Sequence, residues 1–360
     1  MTVLEELPAS AATSTLLTRA RLPRRAVLYV LVPAAALATM VTILLSWTWV
    51  AVPILTALVT LIALPGWAAA LEGRRAAVDR AVSLLVVYAV LAALTPLVWV
   101  LTYTVVKGLP AIDGNFLGHD MTTTLDPKTF KQLPGTGVLH AIIGTLLVTA
   151  GATVISVPVG LMTAVYLVEY GGNTWLSRTV TLLVDVMTGI PSIVAGLFAV
   201  ALFTELGGTG TRIGLMGSVA LSLLMIPTVV RAAEEMMRLV PTDLREASYA
   251  LGVPKWRTIV KVVMPTAFGG ILTGVMLAIS RVIGETAPLL VAVGAVDVVN
   301  TNLLSGRMET LPVFIITQYN SGADALQLAW GAALLLIVIV MFLNLVARVL
   351  GKIFSPKHGR

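Results

Sequence analysis

The chain has 360 residues, 58% of them hydrophobic and 12% charged, with a mean hydropathy of +0.95 and a formal charge of +6. Soluble domains carry about 25% charged residues, and a water-soluble globule of this length could not hide so much apolar surface in its core. A soluble enzyme is therefore excluded, and the natural solvent is a lipid bilayer. Cysteine is absent, the three histidines (His119, His140, His358) are scattered, and no basic stripe stands apart from the apolar segments. Those facts set aside disulfides, thiolate sites, a zinc centre and nucleic-acid binding.

Residues 1–25, rich in Ala, Ser and Thr and ending in Arg24-Arg25, read as a disordered arm. The apolar run that follows is long for an export signal and leads straight into a second one, so an uncleaved anchor is expected. A helix needs about 20 apolar residues to cross the hydrocarbon layer, and only a helix satisfies its own backbone there. Eight segments qualify: 26–46, 49–71, 81–106, 138–168, 179–206, 213–230, 266–296 and 325–350. The expected architecture is an all-α polytopic membrane protein of about eight transmembrane helices. The first two spans carry no ionisable residue and, with their linker to residue 80, read as an addition to a six-span unit, 81–350. A polar loop, 107–137, follows the third span, and a short tail, 351–360, closes the chain. With the N-terminus inside, eighteen Lys and Arg residues fall on the inner side and five on the outer, which predicts that both termini are cytoplasmic. No internal repeat is evident, so an inverted-repeat transporter gains no support.

Within the six-span unit, Glu169 in EYGG reads as an ordinary helix end. Asp185 opens DVMTGIPSIVAG, where Gly189, Pro191 and Gly196 predict close packing or a broken helix. Thr188 and Ser192 could offer hydroxyls to a passing anion or bond their own helix backbone. Arg231 with Glu234 and Glu235 lies at the inner end of its span, as pathway groups or as interfacial anchors. Arg281 and Glu285, in RVIGETAPLL, are spaced four apart on one helical face and are expected to neutralise each other. Charges at membrane depth are costly and point to function; the alternative is an inert pair that pins the bundle. Gly284 would let another backbone approach, and Pro288 marks a kink.

The stretch 241–265, PTDLREASYALGVPKWRTIVKVVMP, predicts an elbow outside the membrane. Asp243 and Glu246 fit an N-cap and its N3 partner. Gly252 fits a left-handed C′ position, and Pro254 opens a second, basic helix over 254–263.

That spacing is similar to the EAA loop of ABC type I importer permeases. The pattern is Glu-Ala-Ala, three residues, Gly, nine residues, Ile, one residue, Leu-Pro, and the chain supplies Glu246-Ala247-Ser248, Gly252, Val262 and Met264-Pro265. Ser248, Val262 and Met264 depart from it, all with small or apolar side chains. Together with RVIGETAPLL, DVMTGIPSIVAGLF and VVRAAEEMMRLVP, the loop resembles the PstA-type permeases of bacterial phosphate-specific importers, from about residue 81 to the C-terminus. The resemblance implies a six-helix permease core, half of a phosphate pathway, set in the bacterial inner membrane. It implies a homologous PstC-type permease, a dimer of PstB-type ATPases and a PstS-type phosphate-binding protein as partners, with Glu246, Ala247, Ser248, Gly252 and Pro265 coupling to the ATPase. A sulfate or molybdate permease shares the same physics, and an ion-coupled transporter using Asp185 or Glu285 is the alternative of another class. No G-x-x-x-x-G-K-[ST] run occurs, because GGTGTR at 207–212 lacks the Lys. No catalysis, cofactor or metal is expected in this chain, and ATP would be bound by a partner.

Overall fold

A computed structural model describes residues 22–23, 25–122, 124–125, 132–133, 135–208, 210–323 and 325–354. The expected arm lies almost wholly outside the described residues, as does the end of the tail. The chain divides into two compact units, residues 1–102 and 103–360.

In the first unit, α1 (Ala26–Leu44) and α2 (Ala51–Leu71) form a hairpin whose buried stripe is Ala26, Ala34, Ala38 and Thr42 against Thr60, Leu64 and Ala68. Lipid tails are as apolar as leucine, so helices associate there through close packing of small residues, and this stripe provides it. Trp47 and Trp49 stand exposed at the turn, where indoles favour a membrane–water interface. At the other end Glu72 accepts hydrogen bonds from the Leu22 amide at 2.6 Å and from Arg80 Nη2 at 3.0 Å. The third helix, α3 (Arg74–Gly108), starts well before the expected residue 81 and absorbs most of the expected linker. No Gly or Pro interrupts it before Pro96, so nothing stops a helix from forming at once after Gly73.

The second unit continues from the end of α3 into a 3₁₀ turn (Leu109–Ala111) and α4 (Gly114–Gly118), capped by Asp113, which accepts from the Phe116 amide at 2.7 Å. A two-residue antiparallel ladder, β1 (Thr124–Leu125) with β2 (Gln132–Leu133), interrupts an otherwise helical chain. Asp120 ties this region to the 297–299 segment through the Val299 amide, and the Met121 amide bonds Asp297 O at 3.0 Å. The Thr122 hydroxyl and amide hold the Asp120 carboxyl below its ordinary range.

The centre of this unit is the pair α5 (Leu139–Val165) and α8 (Gly214–Arg238). Gly160 lies where an added Cβ would sit 2.7 Å from Val229 Cγ1, and Ser218 Oγ crosses to donate to Val148 O at 3.0 Å. Val148, Ala152, Met216, Leu221, Met225 and Val229 fill the interface. Against α8 pack α6 (Trp175–Thr188), α7 (Ser192–Gly207) and α11 (Met264–Val282), and α14 (Leu326–Phe354) lies beside α11. The elbow consists of α9 (Thr242–Ala250) and α10 (Lys255–Thr258); α12 (Ala287–Ala292) and α13 (Leu311–Asn320) precede α14.

Among the described residues seven helices are long and apolar enough to cross a membrane, and a bent pair makes an eighth, matching the expected number. Besides the early start of α3, two of the expected spans are interrupted. The expected span 179–206 is α6 and α7, bent by 107° at residues 189–191, because Pro191 cannot donate to a continuing helix and disfavours a helical residue before it. The expected span 266–296 stops at Val282; residues 283–286 are not helical, and Pro288 starts the short α12 in its first turn. The ten-residue α13 was not expected, its apolar run being too short to read as a span.

Candidate functional site: a pocket between two interrupted helices

The two interruptions meet. Gly196, near the start of α7, packs so closely on α12 that an added Cβ would lie 2.7 Å from Pro288 Cα and O. The close packing expected of Gly196 is thus present, whereas among the described residues only Arg281 O, at 4.0 Å, comes near an added Cβ at Gly284.

Beside this contact lies a cavity of about 230 Å³ lined by Met187, Thr188, Ile190, Ser192, Leu224, Pro227, Thr228, Arg281 and Glu285. Four residues singled out from sequence, Thr188, Ser192, Arg281 and Glu285, come together there from the two broken segments. Thr228, from α8, was missed. Its signal was its place one turn ahead of Arg231 and next to Pro227, the proline inside that helix. A proline there leaves the preceding turn a carbonyl without its amide partner.

The expected Arg281–Glu285 ion pair does not form. It required an uninterrupted helix, and α11 ends at Val282, which takes Glu285 off the face that carries Arg281. Among the described residues no ion pair or hydrogen bond engages the Arg281 side chain. Arg281 is exposed to the cavity and Glu285 half-buried, so the guanidinium offers its full planar fork of donors. Thr188 Oγ1 donates to Val184 O at 2.9 Å, which leaves its lone pairs free.

One turn nearer the elbow, the same helices carry a set of ion pairs. Arg231 on α8 bonds Asp185 on α6 and, through Nη1, Glu234 Oε2 at 2.8 Å. Arg238 Nη2 holds the other Glu234 oxygen at 2.7 Å. Arg231, Glu234 and Asp185 thus form a bridge between α6 and α8, about 4.5 Å of helix rise from Thr188 and Thr228. Glu235 points away, exposed and without an ion-pair partner among the described residues. The sequence offered Arg231, Glu234 and Glu235 as pathway groups or interfacial anchors, and the structure joins Arg231 and Glu234 with Asp185 in a layer separate from Arg281.

The elbow turns as expected at Gly252, whose φ is +76°. The Val253 amide bonds Ser248 O at 3.2 Å and the Gly252 amide bonds Tyr249 O at 2.9 Å, the paired bonds of a Schellman cap. Its start differs: α9 begins at Thr242 with Pro241 at the N-cap, so Asp243 lies in the first turn and caps nothing. Pro254 is likewise the N-cap of α10 rather than its first residue. Beyond α10 the expected separate basic helix does not end; it passes through a π-helical turn (Ile259–Val263) into α11. Pro265 has no N–H for the helix, and a π-helical turn just ahead of it is one way to re-pair the freed backbone. Glu246 and Ala247 are exposed, while Ser248 is buried and bonds Thr258 Oγ1 at 2.8 Å, closing the elbow. Gly252 and Pro265 are also exposed.

A polytopic helical chain with a polar pocket at two helix breaks and a glycine-cornered elbow has the make-up of a transport subunit. Residues 156–360 match the family described as binding-protein-dependent transport system inner membrane component, and the chain belongs to that family, within its group of PstA permeases. It is 48% identical over 258 residues to the phosphate transport system permease protein PstA 1 of Mycobacterium tuberculosis (strain H37Rv), covering 71% of this chain and 81% of that protein. It is 41% identical over 266 residues to the phosphate transport system permease protein PstA of Yersinia pestis, covering 72% and 84%. An inward-facing MetNI methionine ABC transporter superposes with a TM-score of 0.48 at 23% identity, over 61% of this chain and 94% of that one.

Proposed function

We propose that the chain is a permease subunit of an ATP-driven importer of inorganic phosphate, and that the pocket between the helix breaks is where the anion passes. The observation that carries this reading is the Arg281 guanidinium, unpaired among the described residues and facing a polar cavity shared with Thr188, Ser192, Thr228 and Glu285. Phosphate near neutral pH carries one to two negative charges and several acceptor oxygens, and a guanidinium matches it with two parallel N–H···O bonds. Hydroxyls from three elements can complete the shell. Glu285 limits how tightly the anion is held, which transport requires as much as binding. The phosphate-importer names of relatives at 41–48% identity support the same ligand.

The Arg231–Asp185–Glu234 layer then acts as a gate between the pocket and the elbow side. An anion leaving the pocket competes with Asp185 for Arg231, so its passage loosens the bridge between α6 and α8. Thr188 and Arg281 are exposed in the single chain, so a homologous permease, of the PstC type, supplies the facing half of the pathway. A PstB-type ATPase dimer engages the elbow at Glu246, Ala247 and Gly252, and a PstS-type protein delivers phosphate on the other side. The excess of basic residues on one side supports a cytoplasmic elbow and cytoplasmic termini. The chain itself performs no catalysis and needs no cofactor; ATP is bound and hydrolysed by its partner.

The test is phosphate uptake into vesicles carrying the chain with its partner subunits. Uptake that requires ATP, resists ionophores and is outcompeted by excess phosphate but not by sulfate or molybdate supports the reading. Ionophore-sensitive uptake without ATP refutes it, and displacement by sulfate or molybdate reassigns the anion.

A further inference from the structure

Glu169 reads in the sequence as an ordinary helix end, yet it is a junction. It lies in a π-helical turn (Tyr166–Tyr170) that continues α5, and its side chain is only 5% exposed. Arg245, on α9 of the elbow, donates from Nε to Glu169 Oε1 at 3.0 Å. The same guanidinium donates from Nη1 to Val240 O at 2.6 Å and from Nη2 to Met237 O at 2.9 Å, carbonyls at the end of α8. One side chain therefore joins α5, α8 and the elbow. The second limb reaches the same turn: Lys255, on α10, places its ammonium 4.9 Å from the centre of the Tyr170 ring, within cation–π range. Both limbs of the elbow are thus pinned to two consecutive residues, Glu169 and Tyr170.

Single π-helical turns at the ends of or within α-helices are rare and occur frequently at functional sites. Here it sits where force on the elbow would enter α5, the helix that packs along α8, which carries Thr228 and Arg231. The geometry points to the 166–170 turn as the receiver of the elbow's motion, with Glu169 and Tyr170 as positioning residues that make both limbs move as one body with α5 and α8. This rests on the importer reading above and adds the route by which the elbow is coupled to the pocket. Neither residue touches the pocket, and neither lies on the exposed Glu246–Ala247 face.

The experiment uses the full complex in proteoliposomes and reads phosphate taken up per ATP hydrolysed, normalised to assembled complex. Glu169→Ala is expected to lower that ratio at least fivefold while ATP hydrolysis stays near the wild-type rate. Glu169→Gln should fall between, because its amide oxygen still accepts from Arg245 Nε without the charge. Tyr170→Leu, which removes only the ring under Lys255, should lower the ratio about twofold. A purely structural role would reduce the amount of assembled complex and leave the ratio at the wild-type value, and that result overturns the proposal. If Glu169→Ala does not assemble, Glu169→Gln and Tyr170→Leu decide in the same way: lowered ratios support it, unchanged ratios overturn it. A wild-type complex that shows no ATP-driven uptake instead refutes the importer reading itself. Wild-type coupling with fully coupled variants refutes this inference alone.

Discussion

Thr228 stands one turn before Arg231 on α8, where its hydroxyl leans toward Leu224 O at 3.4 Å, too long to hold it firmly. It remains free to turn toward an anion in the cavity. A hydrogen bond to a charged group is worth about 1.5–3 kcal/mol, so Thr228→Val should lower phosphate uptake by roughly 10- to 100-fold without altering complex yield. Uptake at the wild-type rate would remove Thr228 from the pathway. A second residue-level feature lies away from the elbow. His140 Nε2 and Glu309 Oε2 are 3.2 Å apart, both side chains almost fully buried, and Leu311 N donates to Thr145 Oγ1 at 2.7 Å beside them. This pair clamps the start of α13 to α5. Taking away one member leaves the other a buried polar group without its partner, at a cost of about 1–3 kcal/mol. His140→Ala should therefore lower the thermal midpoint of the detergent-solubilised protein by several degrees. An unchanged midpoint would show that the pair contributes nothing.

Broken helices carry the site, and the elements make the breaks necessary. Gly196 against Pro288 is where α7 and α12 touch, and nothing larger than hydrogen fits. Gly196→Val should push the two breaks apart and abolish uptake, while the α5–α8 pair and the membrane insertion that depends on it persist. Uptake above about half of wild type would mean that the contact is incidental. The elbow behaves differently, because a Cβ at Gly252 meets nothing within 4 Å. Only its positive φ resists a side chain, at roughly 1–2 kcal/mol, so the isolated chain should tolerate Gly252→Asp. Uncoupled ATP hydrolysis in the assembled complex would then report contact with a partner at that corner, and full coupling would show that the corner is free. Residue spacing revealed the elbow because a helix stop, a left-handed glycine and a proline are local chemistry. The end of α11 at Val282 was hidden, because Arg281 and Glu285 at a spacing of four look helical until the chain is seen to leave the helix between them.

At the scale of the molecule, apolar run length revealed the spans, since the bilayer fixes how long a helix must be. It could not distinguish a straight span from one bent by 107°, because hydropathy carries no direction. Tertiary pairs far apart in the chain, such as His140 with Glu309 or Glu169 with Arg245, left no local trace in the sequence. Within the first unit, α1 and α2 form a small-residue hairpin with no Asp, Glu, Lys, Arg or His in either helix. Removing residues 1–70 and keeping Arg74-Arg75 for orientation should leave at least half of the phosphate uptake per assembled complex. Loss of uptake from a stably inserted protein would show that the hairpin belongs to the pathway or its assembly.

The central claim is that Arg281 meets phosphate in the pocket. It is tested most directly by phosphate uptake of Arg281→Gln and of the double variant Arg281→Gln with Glu285→Gln, each normalised to assembled complex. Charge-assisted hydrogen bonds are worth about 1.5–3 kcal/mol, so both variants should lose uptake by roughly 10- to 100-fold, and the second change should not restore it. Full uptake by the double variant would mean that the two charges only balance each other and that the anion crosses elsewhere.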